Sequence, residues 1–346
     1  MVCNLIIEDL KASEAINKVI DNEGFSGVVY VKDDNNVLLE TASGFSNRAD
    51  ERLNTVHTRF GIASGCKVFT AVAICQLVEN GIIKFDTRLK DCLKTVFPYF
   101  DEDVTIHHLL THSSGIPDYF DEEIMDSYED LWMSTPMYQM RNTNDFLPLF
   151  KNEKMMFKPG ERFHYNNAAF IILGLIIEQH TGTSFTDYIE MNLFEKCGMS
   201  DSGYFSFDQL PKNTAFGYID NEDGTWKTNA YSLPVKGGAD GGAYITAPDM
   251  IKFWEALSNH RLLSKEYTKL LMTPHIHVDK GVDYGYGIWI NKKRNATFKY
   301  HVMGYDPGVS FHSAFYPQYG IKIAIPSNES SGPFKVMKTL DEYFDI

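Results

Sequence analysis

Between Ser64 and Asn80 apolar side chains crowd most turns of one continuous run: Val68, Phe69, Val72, Ile74, Cys75, Leu77 and Val78. A helix with that pattern has to be surrounded by protein, so the chain must build layers on every side of it. Asn80-Gly81 supplies the stop, glycine being the usual residue just past a helix C-terminus. With 346 residues there is chain enough for one large domain or two closely packed ones.

The segments on either side of this helix set the layers. Residues 26–32 and 37–43 are apolar and β-branched and flank Asp33, Asp34, Asn35 and Asn36, which reads as a hairpin. Thr105 caps a short helix that reaches His112 and stops at Ser114-Gly115-Ile116-Pro117. Residues 118–160 are acidic, aromatic and irregular. Asn167 to His180 is a second apolar helix ended by Thr181-Gly182, glycines 237, 238, 241 and 242 mark a loop, and Asp249 to Ser258 reads as another helix. Strands return at 284–290, 309–316 and 321–327, followed by an amphipathic helix from about 333 to 344. The expected fold is α+β, an α/β sandwich in which an antiparallel sheet drawn from both chain termini is flanked by helices and carries a mostly helical insertion. Residues 1–346 then form a single domain, with the sheet region at about 15–60 and 265–346 and the helical region at about 80–235. The Ser64 helix lies between them.

Charge and cysteine usage narrow the function classes. The balance of 32 basic against 46 acidic residues, a formal −14, repels nucleic acid and anionic membrane surfaces, so neither is expected as a partner. Five scattered cysteines with no C-x-x-C spacing point to a reducing compartment rather than a disulfide framework or a zinc knuckle. The N-terminal run has no basic start and is cut by Glu8 and Asp9, unlike a signal peptide. No stretch approaches the roughly 20 apolar residues of a membrane helix. The expected location is the cytoplasm.

Ser64-Gly65-Cys66-Lys67 opens the buried helix. Residues three apart share a helix face, which puts Lys67 within reach of the Ser64 hydroxyl. Serine becomes a useful nucleophile when a neighbour takes its proton, and a desolvated lysine near a helix N-terminus suits that task. Tyr165-Asn166-Asn167 precedes the second apolar helix; a tyrosine there can act as a base or pass a proton to a leaving group, and an asparagine can hold a lysine and a substrate carbonyl together. Gly304, ahead of the Asp306-Pro307-Gly308 turn, would let a substrate backbone lie close on an edge strand. Each segment alone also has a bland reading: an N-cap serine with a solvated lysine, a core tyrosine before a capping asparagine, and an ordinary turn. His107, His108 and His112 invite a metal reading, but adjacent residues on a helix point apart, which favours solvated or core histidines. There is no G-x-S-x-G elbow, H-E-x-x-H, Walker loop or Rossmann fingerprint.

In this order the segments resemble the serine β-lactamase and penicillin-binding protein superfamily, nearest its class C β-lactamase, D-aminopeptidase and esterase branch. The likeness covers roughly residues 20–330. It runs through Arg59-Phe60-Gly61-Ile62-Ala63-Ser64-Gly65-Cys66-Lys67, Thr105 to Pro117, and Pro159-Gly160-Glu161-Arg162-Phe163-His164-Tyr165-Asn166-Asn167. The resemblance implies a β-lactamase/transpeptidase-like fold, with Ser64 as the acylated nucleophile and Lys67 as its base or relay. Tyr165 would be the second base and leaving-group acid, and Asn167 a substrate contact. The backbone N–H groups of Ser64 and Tyr305 would form the oxyanion hole, with no metal and no organic cofactor. The third motif departs from the branch. Lys or His, a small residue and Gly would fall on Val302, Met303 and Gly304, so His301 comes one residue early. Either a bulge carries His301 into the site or the chain lacks the usual cation for a substrate carboxylate.

The reading that follows is a serine hydrolase cleaving an ester or amide, of esterase, amidohydrolase or D-amino-acid peptidase type. Its substrate is a small molecule or short peptide. The alternatives are a penicillin-binding protein, acting as a D-Ala-D-Ala carboxypeptidase or weak β-lactamase on β-lactams, and a non-catalytic binding module on the same scaffold. Tyr119, Phe120, Trp132 and Tyr138 mark residues 119–157 as a candidate wall over the site.

Overall fold

The computed structural model describes residues 10–344 apart from residue 126. Cys3 and the N-terminal run weighed as a leader lie outside the described residues. Cys66, Cys75, Cys92 and Cys197 are buried free thiols.

Both ends of the chain meet in one antiparallel sheet. The N-terminal part supplies β1 (Gly27–Lys32) and β2 (Val37–Ser43). The C-terminal part supplies β3 (Ile276–Asp279), β4 (Val282–Tyr284), β5 (Trp289–Lys293), β6 (Ala296–Asp306), β7 (Val309–Tyr316) and β8 (Ile321–Ser327). The spatial order is β2-β1-β8-β7-β6-β5-β4-β3. β1 joins the halves, pairing Val29 with Thr41 of β2 on one side and Gly27 with Ser327 of β8 on the other.

Two cores lie against the two faces of this sheet, as the alternation of a half-buried strand requires. On one face α1 (Leu10–Glu23) and the C-terminal helix α6 (Pro333–Tyr343) pack Ile16, Ile20, Val336 and Leu340 against Val29, Val31, Ala314 and Ile323. On the other face lies the larger core, which holds α2 (Lys67–Glu79) and α4 (Asn167–Thr181). Every residue of α2 from Lys67 to Val78 is buried, which accounts for its lack of a polar face. Also in the helical region are α3 (Ile106–Leu110), with Thr105 capping as expected, and α5 (Ala247–Ser258). No single described helix is long and apolar enough to cross a membrane.

Two departures from the sequence reading matter for the site. The expected strand 284–290 is instead the end of β4 and the start of β5, with Tyr284 paired to Trp289 across a turn in which Gly287 has φ +67°. By its pattern β6 reads only as the approach to β7, because Lys299, His301 and Asp306 break up its apolar alternation, yet it is an 11-residue strand. β6 and β7 are joined by the two-residue Pro307–Gly308 turn and pair in unbroken register from Tyr300–Phe315 to Asp306–Val309.

Candidate active site

The chain enters the site through a strained residue. Ala63 has φ +45°, a left-handed conformation that costs energy for any residue with a Cβ. Its surroundings hold it there: Gly242 N–H donates to Ala63 O at 3.2 Å, Ile62 N–H to Ala243 O at 3.0 Å, and Gly65 N–H to Ile62 O at 2.8 Å. Phe60 and Gly61 pair with Ile245 and Tyr244, which locks the glycine loop 237–242 beside Ser64. Residues Ala63–Cys66 form a 3₁₀ turn that becomes α2 at Lys67. In a 3₁₀ turn positions i and i+3 eclipse, which brings the lysine over the serine.

Lys67 is 2% exposed, and its Nζ donates to Ser64 Oγ at 2.8 Å, Asn167 Oδ1 at 2.8 Å and the Asp240 carbonyl at 2.6 Å. All three donor positions of an ammonium are thus used, none on a carboxylate. A second bond, Thr70 Oγ1 to Ala239 O at 2.5 Å, ties the same loop to α2. The loop was visible in the sequence as glycines; that its Asp240 carbonyl would hold Lys67 was not.

Tyr165 places its ring centroid 5.0 Å from Lys67 Nζ and stacks on His112 at 4.4 Å. Burial, with the Glu122 charge adding to it, holds the phenol well above its usual pKa, and the hydrogen bond with Ser64 offsets only part of this. A phenol in that state is a proton donor or relay rather than a phenolate base. His112 is the support behind it. Its Nδ1 accepts the Asn166 N–H at 3.0 Å, leaving Nε2 to carry the proton and donate to Tyr284 Oη at 3.2 Å. Burial keeps this imidazole well below its usual pKa, so it stays neutral.

Asn167 is set by capping. The side chain of Asn166 accepts the Ala169 N–H at 2.7 Å, while Asp118 accepts the N–H groups of Asn167 and Ala168, each at 2.8 Å. Three orphan donors at the start of α4 are satisfied, and the Asn167 side chain is further held by Asp118 and Phe120 O. Burial still pushes the Asp118 carboxyl up to about 7. No local sequence signal marks Asp118, because its partners lie about fifty residues away.

Gly304 sits where β6 touches the nucleophile. A Cβ there would fall 2.7 Å from Ser64 N and collide with Ile62 O, so only glycine allows the approach. Tyr305 lines the cavity, and its phenol lies 2.5 Å from His312 Nε2. His301 goes elsewhere. No bulge interrupts β6 between Tyr300 and Asp306, so His301 faces the α6 side of the sheet, stacked 6.5 Å from His312 and paired opposite Ala314. The bulge that would carry it to Ser64 does not exist, and strand alternation keeps it away.

A cavity of about 270 Å³ opens in front of Ser64. Its walls are aromatic and apolar, including Tyr119, Phe120, Tyr128, Phe146, Phe207 and Val309. The segment expected as a wall is one in part: Tyr119 and Phe120 line the cavity, Trp132 donates Nε1–H to Ser232 O at 2.9 Å, and Tyr138 faces solvent. Glu122, Asp240 and Asp306 also line it, and no Lys, Arg or His is among the described lining residues.

This arrangement of sheet, buried serine helix and capping segments belongs with a known sequence pattern. The profile of the Beta-lactamase family matches residues 12–343. The chain belongs to the β-lactamase family. A crystal structure of a penicillin-binding protein from Bacillus halodurans is 55% identical, covers 94% of this chain and 99% of its own, and superposes with a TM-score of 0.91. Penicillin-binding protein 4* of Bacillus subtilis strain 168 is 28% identical over 312 residues, 85% of this chain but only 65% of that protein's length. A D-amino acid amidase from Ochrobactrum anthropi SV3 shares the fold with a TM-score of 0.78 at 20% identity, covering 95% of this chain and 97% of its own. Placement in this family of serine hydrolases agrees with the antiparallel sheet built from both termini.

Proposed function

We propose that the protein is a serine hydrolase of the β-lactamase family that cleaves an ester or amide through an acyl-enzyme on Ser64. The observation that carries this reading is the buried Lys67 ammonium, 2.8 Å from Ser64 Oγ and paired with no carboxylate. In the first step Ser64 Oγ bonds to the substrate carbonyl carbon. In its neutral form Lys67 takes the Ser64 proton, while Tyr165 gives its phenolic proton to the departing alcohol or amine and recovers one from Lys67 as the carbon–leaving-group bond breaks. The N–H groups of Ser64 and Tyr305 would take the negative charge that develops on the carbonyl oxygen. Water then cleaves the Ser64 ester and releases the acid. With its pKa raised, Tyr165 suits the proton-donating half of this cycle. The amidase relative supports amides as one substrate class.

The test is turnover of p-nitrophenyl acetate by the wild type and by Ser64→Ala. Loss of at least a thousandfold in kcat/KM with an unchanged urea midpoint is expected; retained turnover in the variant removes Ser64 from the reaction.

The 55% identity to a protein named for binding penicillin favours a second reading, β-lactam acylation of Ser64. Intact mass after incubation with a penicillin, beside Ser64→Ala, decides it. A Ser64-dependent adduct supports the second reading, and Ser64-dependent ester cleavage without an adduct supports the first alone.

A further inference from the structure

The inference concerns what the cavity recognises and rests on the serine-hydrolase reading only for its kinetic arm. Strand alternation turns His301 away from Ser64, and the same alternation turns Asp306 toward it: Val302, Gly304 and Asp306 share the face on which Gly304 touches the nucleophile. Asp306 lines the cavity one residue after Tyr305. An Asp before Pro-Gly ordinarily has a local task, accepting the backbone N–H two residues on to close the turn. Here that task is taken by another residue. Gly308 N–H donates to Ser330 Oγ at 2.8 Å, so the turn closes without the Asp306 carboxylate. Among the described hydrogen bonds and ion pairs Asp306 has no partner, whereas Asp240 accepts the Tyr119 hydroxyl.

A carboxylate kept in an apolar, aromatic wall is costly unless something positive meets it. Burial pushes the Asp306 carboxyl up to about 8, with Asp240 and Glu122 raising it further and Lys67 opposing them. Lys67 does not complete the pair, because its three donors are already taken by Ser64, Asn167 and Asp240. At pH 7 Asp306 is therefore largely protonated in the empty cavity, and a ligand cation that met it would draw it to the carboxylate.

We propose that Asp306 is a specificity residue that binds an ammonium group on the substrate, so that the site prefers acyl groups bearing a free amine next to an apolar or aromatic side chain. A substrate carboxylate in this position would meet Glu122, Asp240 and Asp306, with no Lys, Arg or His among the described lining residues, the reverse of what carboxylate recognition needs.

Two measurements test it. The first is kcat/KM for phenylalanine p-nitroanilide, racemic and with its amine free, against the N-acetyl and N-succinyl derivatives. The expected order is free amine, then acetyl, then succinyl, and Asp306→Asn is expected to lower the free-amine to acetyl ratio at least tenfold, with Asp306→Glu recovering part of it. The second needs no catalysis. Calorimetric binding of 2-phenylethylamine to Ser64→Ala at pH 7 is expected to be at least tenfold tighter than that of 2-phenylethanol, and the double variant with Asp306→Asn is expected to lose that preference. Equal binding of amine and alcohol, or a preference untouched by Asp306→Asn, overturns the proposal. Absence of Ser64-dependent hydrolysis with the amine preference intact overturns the hydrolase reading and leaves this one supported.

Discussion

Ser64 and Lys67 meet through the backbone of one turn, whereas Tyr165 and Asn167 are brought to them by packing and by distant hydrogen-bond partners. Lys67 comes to Ser64 through the eclipsed geometry of a 3₁₀ turn, and Asn167 is aimed by the caps at the start of α4. Tyr165→Phe keeps the ring stacked on His112 and removes only the hydroxyl. Ester turnover is expected to fall by about two orders of magnitude, the scale of lost proton transfer; a rate unchanged at saturating ester would take Tyr165 out of the chemistry. Asp118→Ala strips acceptors from Asn167 N–H and Ala168 N–H. A stability loss of about 2 kcal/mol is expected, read from the urea midpoint, the upper end of what a lost cap costs.

At the scale of elements, β6 decides which side chains the site receives. Its unbroken register with β7 sends Gly304 and Asp306 to the nucleophile and His301 to α6. The one-residue offset of His301 from the branch pattern is legible in the sequence, but whether a bulge absorbs it depends on how β6 pairs, and pairing is a long-range property. Gly304→Ala puts a methyl 2.7 Å from Ser64 N, so a loss of about 3 kcal/mol is expected. Around Gly238 nothing lies within 4 Å, and Gly238→Ala is expected to stay within about 1 kcal/mol of the wild type. Equal urea midpoints for the two variants would show that β6 yields at this contact.

Across the whole molecule the sheet separates two cores and two sets of buried titratable groups. Behind it His312 is buried, and desolvation with the nearby Lys299 charge lowers its pKa to about 3. Unfolded, the same imidazole titrates near 6.5. Its folded value is the lower one, so the unfolded state takes up the extra proton and stability falls as pH drops below about 6.5. Between pH 7.5 and pH 5 this single group costs the fold about 2 kcal/mol. His312→Gln keeps an acceptor for the Tyr305 hydroxyl and removes the titration. The stability difference between wild type and variant is therefore expected to shift by that amount over this range, measured from urea midpoints at the two pH values. Asp118 and Asp306, whose raised pKa values act in the opposite sense, are common to both proteins and cancel. A difference independent of pH would mean that His312 has the same pKa in the fold as in the unfolded chain.

What the sequence by itself determined was everything that follows from short-range periodicity and capping: the buried helix from Lys67, the caps at Thr105 and Asn166, the first hairpin, the strands 309–316 and 321–327, and the spacing that joins Ser64 to Lys67. Tertiary structure alone decided the closures between distant segments. It set the Asp240 carbonyl on Lys67, Asp118 on the start of α4, and Ser330 rather than Asp306 on the Gly308 N–H. The physical reason is range: a helix face or a cap is set within four residues, whereas a buried polar group takes whatever partner the packed fold brings to it.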